Sequence, residues 1–197
     1  MTIRRFVRFL AVLLTLTGVA ACQTVNPIQQ FPTLTFQHKT PLSMDVSRVE
    51  VVTKYASPMA DPNVEHLFPT TPEDGLKQWV ADRIVTSGTH NMARFTILNA
   101  AAVEQALPRT QGVKGTFTKD QSEKYVVKVE AMLEIVDDSG RVLGHTASKV
   151  GRSRTLAEDA TLNERERFWF DLTEALLNDF DIEMEKGVRT HLVNWLR

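Results

Sequence analysis

The segment over 125–154 contains the clearest strand pattern in the chain. Large apolar residues alternate with polar ones over 125–135, which predicts a β-strand with one buried face. The sequence Asp-Asp-Ser-Gly at 137–140 is typical of a tight turn, so a second strand is expected to return over 141–154. In the expected register, small residues of the return strand lie opposite the large ones and leave room for a packed helix: Gly144, Thr146 and Ser148.

A long apolar stripe follows near the C-terminus and predicts the helix that fills this room. Apolar residues recur every three or four positions over 168–195, the spacing of one helix face. Asn163 and Glu166 resemble a capping box at its start. Gly187 costs about 1 kcal/mol in a helix interior, so two alternatives stay open: a continuous helix, or one interrupted between Asp179 and Gly187.

The preceding part of the chain predicts a smaller strand, helix and strand. Apolar alternation indicates one strand over 44–54 and another over 94–98. Between them, Thr71 can cap a helix that starts at Pro72 and ends near Gly88. Elements in this order normally bring the two strands together in parallel.

The segment after the second of these strands is expected to leave the sheet. Asn99 can cap a brief helix that ends before Pro108, and two glycines make 109–121 a loop. The elements together predict an α+β fold. We expect a two-layer sandwich, in which a small mixed sheet of about four strands carries helices on one face, with the long helix at the C-terminus. One globular domain over 44–197 accommodates all of them.

The N-terminus has the layout of a secretory signal. Three arginines precede an apolar stretch over 9–19 and then small residues. The stretch is too short to cross a bilayer as a helix, which needs about 20 residues. The sequence Val-Ala-Ala-Cys at 19–22 is similar to a lipobox and contains the only cysteine of the chain. We therefore predict a signal peptide over 1–21 and a Cys22 that carries acyl chains, palmitate among them, as a membrane anchor.

The residues that follow Cys22 leave two alternatives open. The segment over 22–43 is polar and interrupted by prolines, which is typical of a tether. Its apolar residues Phe31, Leu34 and Phe36 are also suited to docking on the domain.

Composition excludes some classes of partner. Removal of 1–21 leaves 20 basic and 24 acidic residues, a formal charge of −4, so no nucleic-acid partner is expected. With Cys22 acylated, no thiol remains for a disulfide, and the core must hold by packing alone.

The residue patterns give no motif for catalysis, for a metal or for a cofactor. The five histidines lie in separate segments, and none has the i, i+4 spacing that places two ligands on one helix face. Four acidic residues at spacings of two are distributed around a helix, so we expect a solvated face on which Glu185 pairs with Arg189: Asp179, Asp181, Glu183 and Glu185. We therefore expect no catalytic residues, no metal site and no cofactor.

The loop over 55–71 is the candidate binding segment. It is longer than most connections, which have about 4–6 residues, and it carries four apolar side chains among its prolines. These side chains either pack under the domain or form a patch for a protein partner: Met59, Val64, Leu67 and Phe68.

A lipobox, a tether, then strand, helix, strand, hairpin and a long C-terminal helix form an order that resembles small envelope lipoproteins. Examples are the auxiliary lipoprotein component of ABC-type transport systems, the lipopolysaccharide-assembly lipoprotein and the outer-membrane activators of peptidoglycan synthases. This resemblance implies a protein anchored to a bacterial membrane and facing the periplasm. By the sorting preference of enteric bacteria, Gln23 after the cysteine implies the outer membrane. The resemblance implies no functional residue beyond Cys22.

These observations favour a non-enzymatic binding or accessory component of an envelope transport or assembly system, with an envelope protein as partner. One alternative is a carrier of an apolar ligand such as a lipid, held between the sheet and the last helix. Another is an envelope hydrolase with dispersed catalytic residues, which requires a polar pocket that gathers a histidine and a carboxylate.

Overall fold

The computed structural model describes residues 30–108 and 121–197 of the 197-residue chain. The signal peptide expected over 1–21, Cys22, and most of the loop expected over 109–121 lie outside the described residues. The elements are β1 (Leu42–Met44), β2 (Arg48–Thr53), α1 (Pro72–Arg83), β3 (Ile84–Thr86), β4 (Met92–Ala106), β5 (Gln121–Val136), β6 (Val142–Ala157) and α2 (Leu162–His191), with 3-10 turns at Glu65–Leu67 and Val193–Trp195.

The strands form one four-stranded mixed sheet and one small parallel pair. The main sheet has the order β2-β4-β5-β6, and β1 pairs with β3 beside it. Strand β2 is parallel to β4, whereas β4-β5 and β5-β6 are antiparallel. The predicted α+β class, the mixed sheet and the parallel strand-helix-strand unit are confirmed.

The hairpin of β5 and β6 has the register that the sequence predicts. Ile135, Leu133 and Ala131 pair with Gly144, Thr146 and Ser148, respectively. The large residues of β5 are fully buried on the face that α2 covers. The small residues of β6 therefore let the helix backbone approach the sheet closely.

Helix α2 is continuous over its 30 residues, which decides between the two alternatives at Gly187. Its capping box is formed by Thr161 and Glu164, so the prediction of Asn163 and Glu166 was wrong by two positions. The backbone of Thr161 is extended, and its side chain accepts a hydrogen bond from the Glu164 amide. Asn163 already lies inside the first turn, where its side chain cannot act as the N-cap.

Strand β4 is much longer than predicted, and the brief helix expected at Asn99 does not form. The strand runs for 15 residues, and its register against β5 shifts between Ile97 and Asn99. At this bulge the Asn99 side chain accepts a hydrogen bond from the Ala101 amide. The alanines that follow Asn99 pair with β5. Strand pairing and burial therefore outweigh the high helix propensity of these alanines.

Two boundaries near the first helix also differ from prediction. The single strand expected over 44–54 is divided, because β1 pairs with β3 whereas β2 pairs with β4. Helix α1 begins as predicted, with Thr71 accepting a hydrogen bond from the Asp74 amide at 3.0 Å and Pro72 in the first turn. It ends at Arg83 rather than near Gly88, since the next residues form β3.

The segment before β1 belongs to the folded domain from Phe31 onward. Leu34 and Phe36 are buried, and the Phe36 amide donates to Asp82 Oδ2 at 2.8 Å. The Phe31 ring stacks on Phe170 of α2, with centroids 5.3 Å apart. Of the two alternatives for this segment, docking therefore holds from Phe31 onward, because burial of these apolar side chains outweighs the loss of chain freedom.

Neither helix in the described part of the chain has the length and apolarity that a membrane span requires. Both helices pack on the sheet through their apolar stripes.

Candidate functional site

The loop over 55–71 divides its four candidate residues into two pairs. Val64 and Phe68 are buried at 3% and 5% exposure, so they belong to the core and cannot form part of a surface patch. Met59 and Leu67 are exposed at 64% and 53%. The loop therefore does both things that were expected of it as alternatives: two of its apolar side chains pack under the domain, and two lie at the surface. Only Met59 and Leu67 are accessible to a partner.

The same loop buries a carboxylate that the sequence analysis missed. Glu65 is 3% exposed, and its carboxylate accepts hydrogen bonds from uncharged groups. The Tyr55 hydroxyl donates to Oε1 at 2.6 Å and Ser57 Oγ donates to it at 2.5 Å. The Ala102 amide donates to Oε2 at 3.0 Å and the Asn63 side chain at 3.3 Å.

Backbone pairing with β4 holds the loop in this position. The Val64 amide donates to the Ala102 carbonyl at 2.8 Å, and the Glu104 amide donates to the Pro62 carbonyl at 2.9 Å. Asn63 and Val103 form an isolated β-bridge. This part of β4 was expected to be a helix, so the partner of the loop could not be foreseen. The available signal was a single acidic residue among Val64, Leu67 and Phe68.

The hydrogen bonds shift the pKa values of Glu65 and Tyr55 in opposite directions. Burial opposes ionisation of Glu65, but the hydrogen bonds from Ser57, Tyr55 and the Ala102 amide outweigh it and lower the pKa of the carboxyl. Burial, then the hydrogen bond to Glu65 and its negative charge, raise the pKa of Tyr55. Glu65 is therefore a carboxylate and Tyr55 a neutral phenol at neutral pH.

A pocket of about 240 Å³ opens beside this cluster, and we call it the Glu65 pocket. Met59 lies on its wall with a backbone φ of 55°, in the left-handed region that methionine rarely adopts. Such strain persists where the surrounding structure imposes it, and it is frequent at functional positions. The pocket is lined by Tyr55, Ser57, Met59, Glu65, His66, Thr71, Glu73, Asp74 and Ala100.

The Glu65 pocket gathers a histidine and carboxylates, which the hydrolase alternative requires. Its hydroxyl and imidazole are not paired, however. Ser57 donates to Glu65, and His66 Nδ1 is buried without a hydrogen-bond partner among the described residues. Within 30–108 and 121–197, no group of three or more acidic, histidine or cysteine side chains has the arrangement of a metal site. The other four histidines are exposed.

One of the four acidic residues expected on a solvated face of α2 departs from that prediction. Asp181 is 1% exposed and accepts hydrogen bonds from Trp79 Nε1 at 2.8 Å and Arg83 Nε at 2.7 Å. Lys39 Nζ lies 3.1 Å from its other oxygen. The prediction failed because a buried arginine on α1 supplies the opposite charge, and sequence periodicity does not show such a pairing. The expected pair of Glu185 and Arg189 is present.

An aromatic cluster occupies the end of the domain where α2 begins. Phe31 stacks on Phe170, and Phe68 stacks on Trp169 with centroids 5.0 Å apart. Tyr125 of β5 contacts Phe168 and Trp169 edge-on. We use the term aromatic cluster for these six residues: Phe31, Phe68, Tyr125, Phe168, Trp169 and Phe170.

No protein-family model matches the chain, and no curated protein matches its sequence. Among solved structures, the chain is similar to a minor lipoprotein from Acinetobacter baumannii, with 12% identity, a TM-score of 0.40 and coverage of 75% of this chain and 96% of the other. Another is a DUF330 protein from Xanthomonas campestris, with 12% identity, a TM-score of 0.30 and coverage of 82% and 95%, respectively. Both similarities are too low to place the chain in a family.

Proposed function

We propose that the chain is a lipid-anchored bacterial envelope protein that faces the periplasm from the outer membrane. The observation that carries this proposal is the lipobox-like sequence that ends at Cys22, the only cysteine. The packed domain begins at Phe31, nine residue steps later. A short connection of this kind suits a domain that works close to its anchor.

Substitution of Cys22 tests the anchor. In the Cys22→Ser variant, we expect no incorporation of labelled palmitate and no cleavage after Ala21, because acylation needs the sulfur. Thr24→Ser is the matched control and should be processed normally. Unchanged acylation and processing of the Cys22→Ser variant would contradict the proposal. Gln23→Asp tests the choice of membrane: movement to the inner-membrane fraction is expected.

We further propose that the domain is a non-enzymatic accessory component of an envelope transport or assembly system, and that it binds a protein partner at the rim of the Glu65 pocket. Met59 supports this assignment. It is 64% exposed and held at a positive φ, so the fold keeps an apolar side chain in water at a conformational cost. Binding of a partner that covers the Met59 side chain would be stabilised by the burial of this apolar surface.

The contacts in the pocket support binding rather than hydrolysis. A nucleophilic hydroxyl needs a hydrogen bond to an effective general base. The Ser57 hydroxyl donates to Glu65, whose lowered pKa makes it a weak base, and His66 Nδ1 has no hydrogen-bond partner among the described residues.

The carrier alternative has less support, because the space between sheet and last helix is filled. A Cβ on Gly144 would lie 2.8 Å from the Trp195 ring, and one on Gly187 would lie 2.3 Å from Thr146 Oγ1.

Met59→Gly separates binding from folding. Glycine adopts a positive φ without strain, so the variant should be at least as stable as the wild type while it loses the apolar contact. Co-purification of the partner captured by in-cell crosslinking should therefore fall. Asn91→Gly relaxes a similar backbone at φ 61° outside the pocket and should leave capture unchanged. Equal capture by both variants would exclude Met59 from the interface.

A further inference from the structure

We propose that the domain rests on the bilayer through the end that carries the aromatic cluster, and that Leu67 and Leu162 insert into the membrane surface. This inference rests on the proposed acylation of Cys22. It adds an orientation and a second, non-covalent contact to the anchor. The occupant of this surface is lipid, whereas the protein partner binds at the Glu65 pocket.

The length of chain between anchor and domain limits which end can reach the membrane. Nine residue steps separate Cys22 from Phe31, a span of about 30 Å when fully extended and about 15–18 Å for a flexible chain. Phe31 is fixed to the domain by its stacking on Phe170. The anchor therefore holds the aromatic cluster near the bilayer.

The opposite orientation would require an almost fully stretched connection. Helix α2 continues for 21 residues beyond Phe170 to His191, which is about 31 Å of helix. Placing that far end on the bilayer would lift Phe31 by a similar distance, close to the limit of the connection. Full extension costs conformational entropy, so the aromatic end faces the membrane.

Two exposed leucines project from this end of the domain. Leu162 is 66% exposed and is the first residue of α2, eight positions before Phe170. Leu67 is 53% exposed and directly precedes Phe68, which stacks on Trp169. Leu67 is therefore adjacent in sequence to a member of the aromatic cluster, and Leu162 lies about two helical turns before its α2 members. Burial of such side chains in hydrocarbon is favourable.

The charges near this end indicate contact through apolar side chains rather than attraction to anionic lipids. Arg165 pairs with Glu123, and Arg167 Nε lies 3.1 Å from Asp171. Arg154 lies over the Phe168 ring, 5.1 Å from its centroid. Two of these three arginines are paired to carboxylates, so the described residues at this end offer little free positive charge. Membrane contact should therefore depend only weakly on salt.

Single introduced cysteines test this orientation in the full acylated protein. Acylation consumes the sulfur of Cys22, so a new cysteine is the only free thiol of the mature chain. Leu67→Cys and Leu162→Cys report on the proposed contact. Ile182→Cys and Val193→Cys are matched controls, because these side chains are apolar and 58% and 57% exposed. Position 182 lies about 30 Å along α2 from position 162.

The protein is reconstituted in vesicles of phosphatidylethanolamine and phosphatidylglycerol. A membrane-impermeant maleimide should label positions 67 and 162 about tenfold more slowly than positions 182 and 193, as expected for side chains removed from water. A fluorophore at 67 or 162 should be quenched by nitroxide-labelled acyl chains, and one at 182 or 193 should not. Raising the salt concentration should change neither result.

The outcomes distinguish this inference from the anchor itself. Equal labelling at all four positions, with acyl chains found on Cys22 by mass spectrometry, would overturn the orientation and leave the anchor intact. Slow labelling at 67 and 162 without quenching by the lipid label would show that protein covers the surface, which also overturns the inference. A mature chain without acyl groups on Cys22 would overturn both proposals.

Discussion

Gly187 of α2 lies against Thr146 of β6 so closely that a Cβ on the glycine would be 2.3 Å from Thr146 Oγ1. The glycine is therefore required for packing near the C-terminal end of a continuous helix, although it lowers helix propensity. The same strand brings Gly144 against Trp195. The small residues of β6 and the glycine of α2 act together to set the distance between helix and sheet.

Gly187→Ala should destabilise the domain by up to about 2 kcal/mol in urea unfolding. Alanine gains about 1 kcal/mol of helix propensity, but overpacking of a tight interface costs about 1–3 kcal/mol, and the buried Thr146 has little room to move. Lys186→Ala, at an exposed neighbour, should change stability by less than about 0.5 kcal/mol.

A double substitution shows whether the clash is the cause. Thr146→Ala removes the hydroxyl and leaves a Cβ contact of 3.4 Å, so Gly187→Ala should cost less in that background. A coupling energy of about 1 kcal/mol is expected from the double-mutant cycle. Additive effects of the two substitutions would contradict this explanation of the glycine.

Removal of the Asp181 carboxylate should be far more costly than removal of its exposed neighbour. Asp181 pairs with Arg83, and both side chains are 1% exposed. Asp181→Ala leaves the buried guanidinium with Glu185 as its remaining carboxylate partner and removes the acceptor of Trp79 Nε1. The expected loss is therefore about 2–3 kcal/mol, below the cost of about 3–5 kcal/mol for a buried charge left without any partner. Glu183→Ala, on the solvent side of α2, should be close to neutral. Similar denaturation midpoints for the two variants would show that the buried ion pair contributes little.

The hairpin and the long helix were predictable because their signals are local. Alternation over 125–135 fixes a buried face within one strand, and the turn at 137–140 then sets the register against Gly144, Thr146 and Ser148. Glu65 and Asp181 were not predictable, because their partners come from distant segments. Tyr55, Ala102, Trp79 and Arg83 approach them only in the folded chain. The sequence therefore identified the loop over 55–71 as the candidate site, but it did not identify Glu65 as the buried carboxylate of that loop.

Glu65→Gln should change the pH dependence of stability in a defined direction. The pKa of Glu65 is lower in the folded protein than in the unfolded chain, so the unfolded state binds more protons as the medium becomes acidic. The stability from this difference is fully present above the unfolded-state pKa of about 4.3. It is lost as the pH falls through the folded-state pKa.

Urea unfolding between pH 7 and pH 3 measures this effect. The variant should be less stable than the wild type by about 1–3 kcal/mol at pH 7, since its side chain offers one acceptor oxygen in place of two while Tyr55, Ser57 and the Ala102 amide all donate to the carboxylate in the folded protein. The gap should narrow from about pH 5 downward. Glu50→Gln removes an exposed carboxylate and serves as the control. A gap that stays constant over the whole range would show that Glu65 ionisation does not stabilise the fold.

Phe36→Ala tests whether the segment before β1 is a structural part of the domain. Phe36 is 2% exposed, and its amide donates to Asp82. Loss of a buried phenylalanine side chain typically costs about 3–5 kcal/mol, so a large loss of thermal stability is expected, together with faster proteolysis before residue 42. Gln37→Ala, at the exposed neighbour, should behave like the wild type. Unchanged stability of Phe36→Ala would show that the segment before β1 contributes little to the fold and acts as a tether. The domain could then lie farther from the membrane than a packed segment allows.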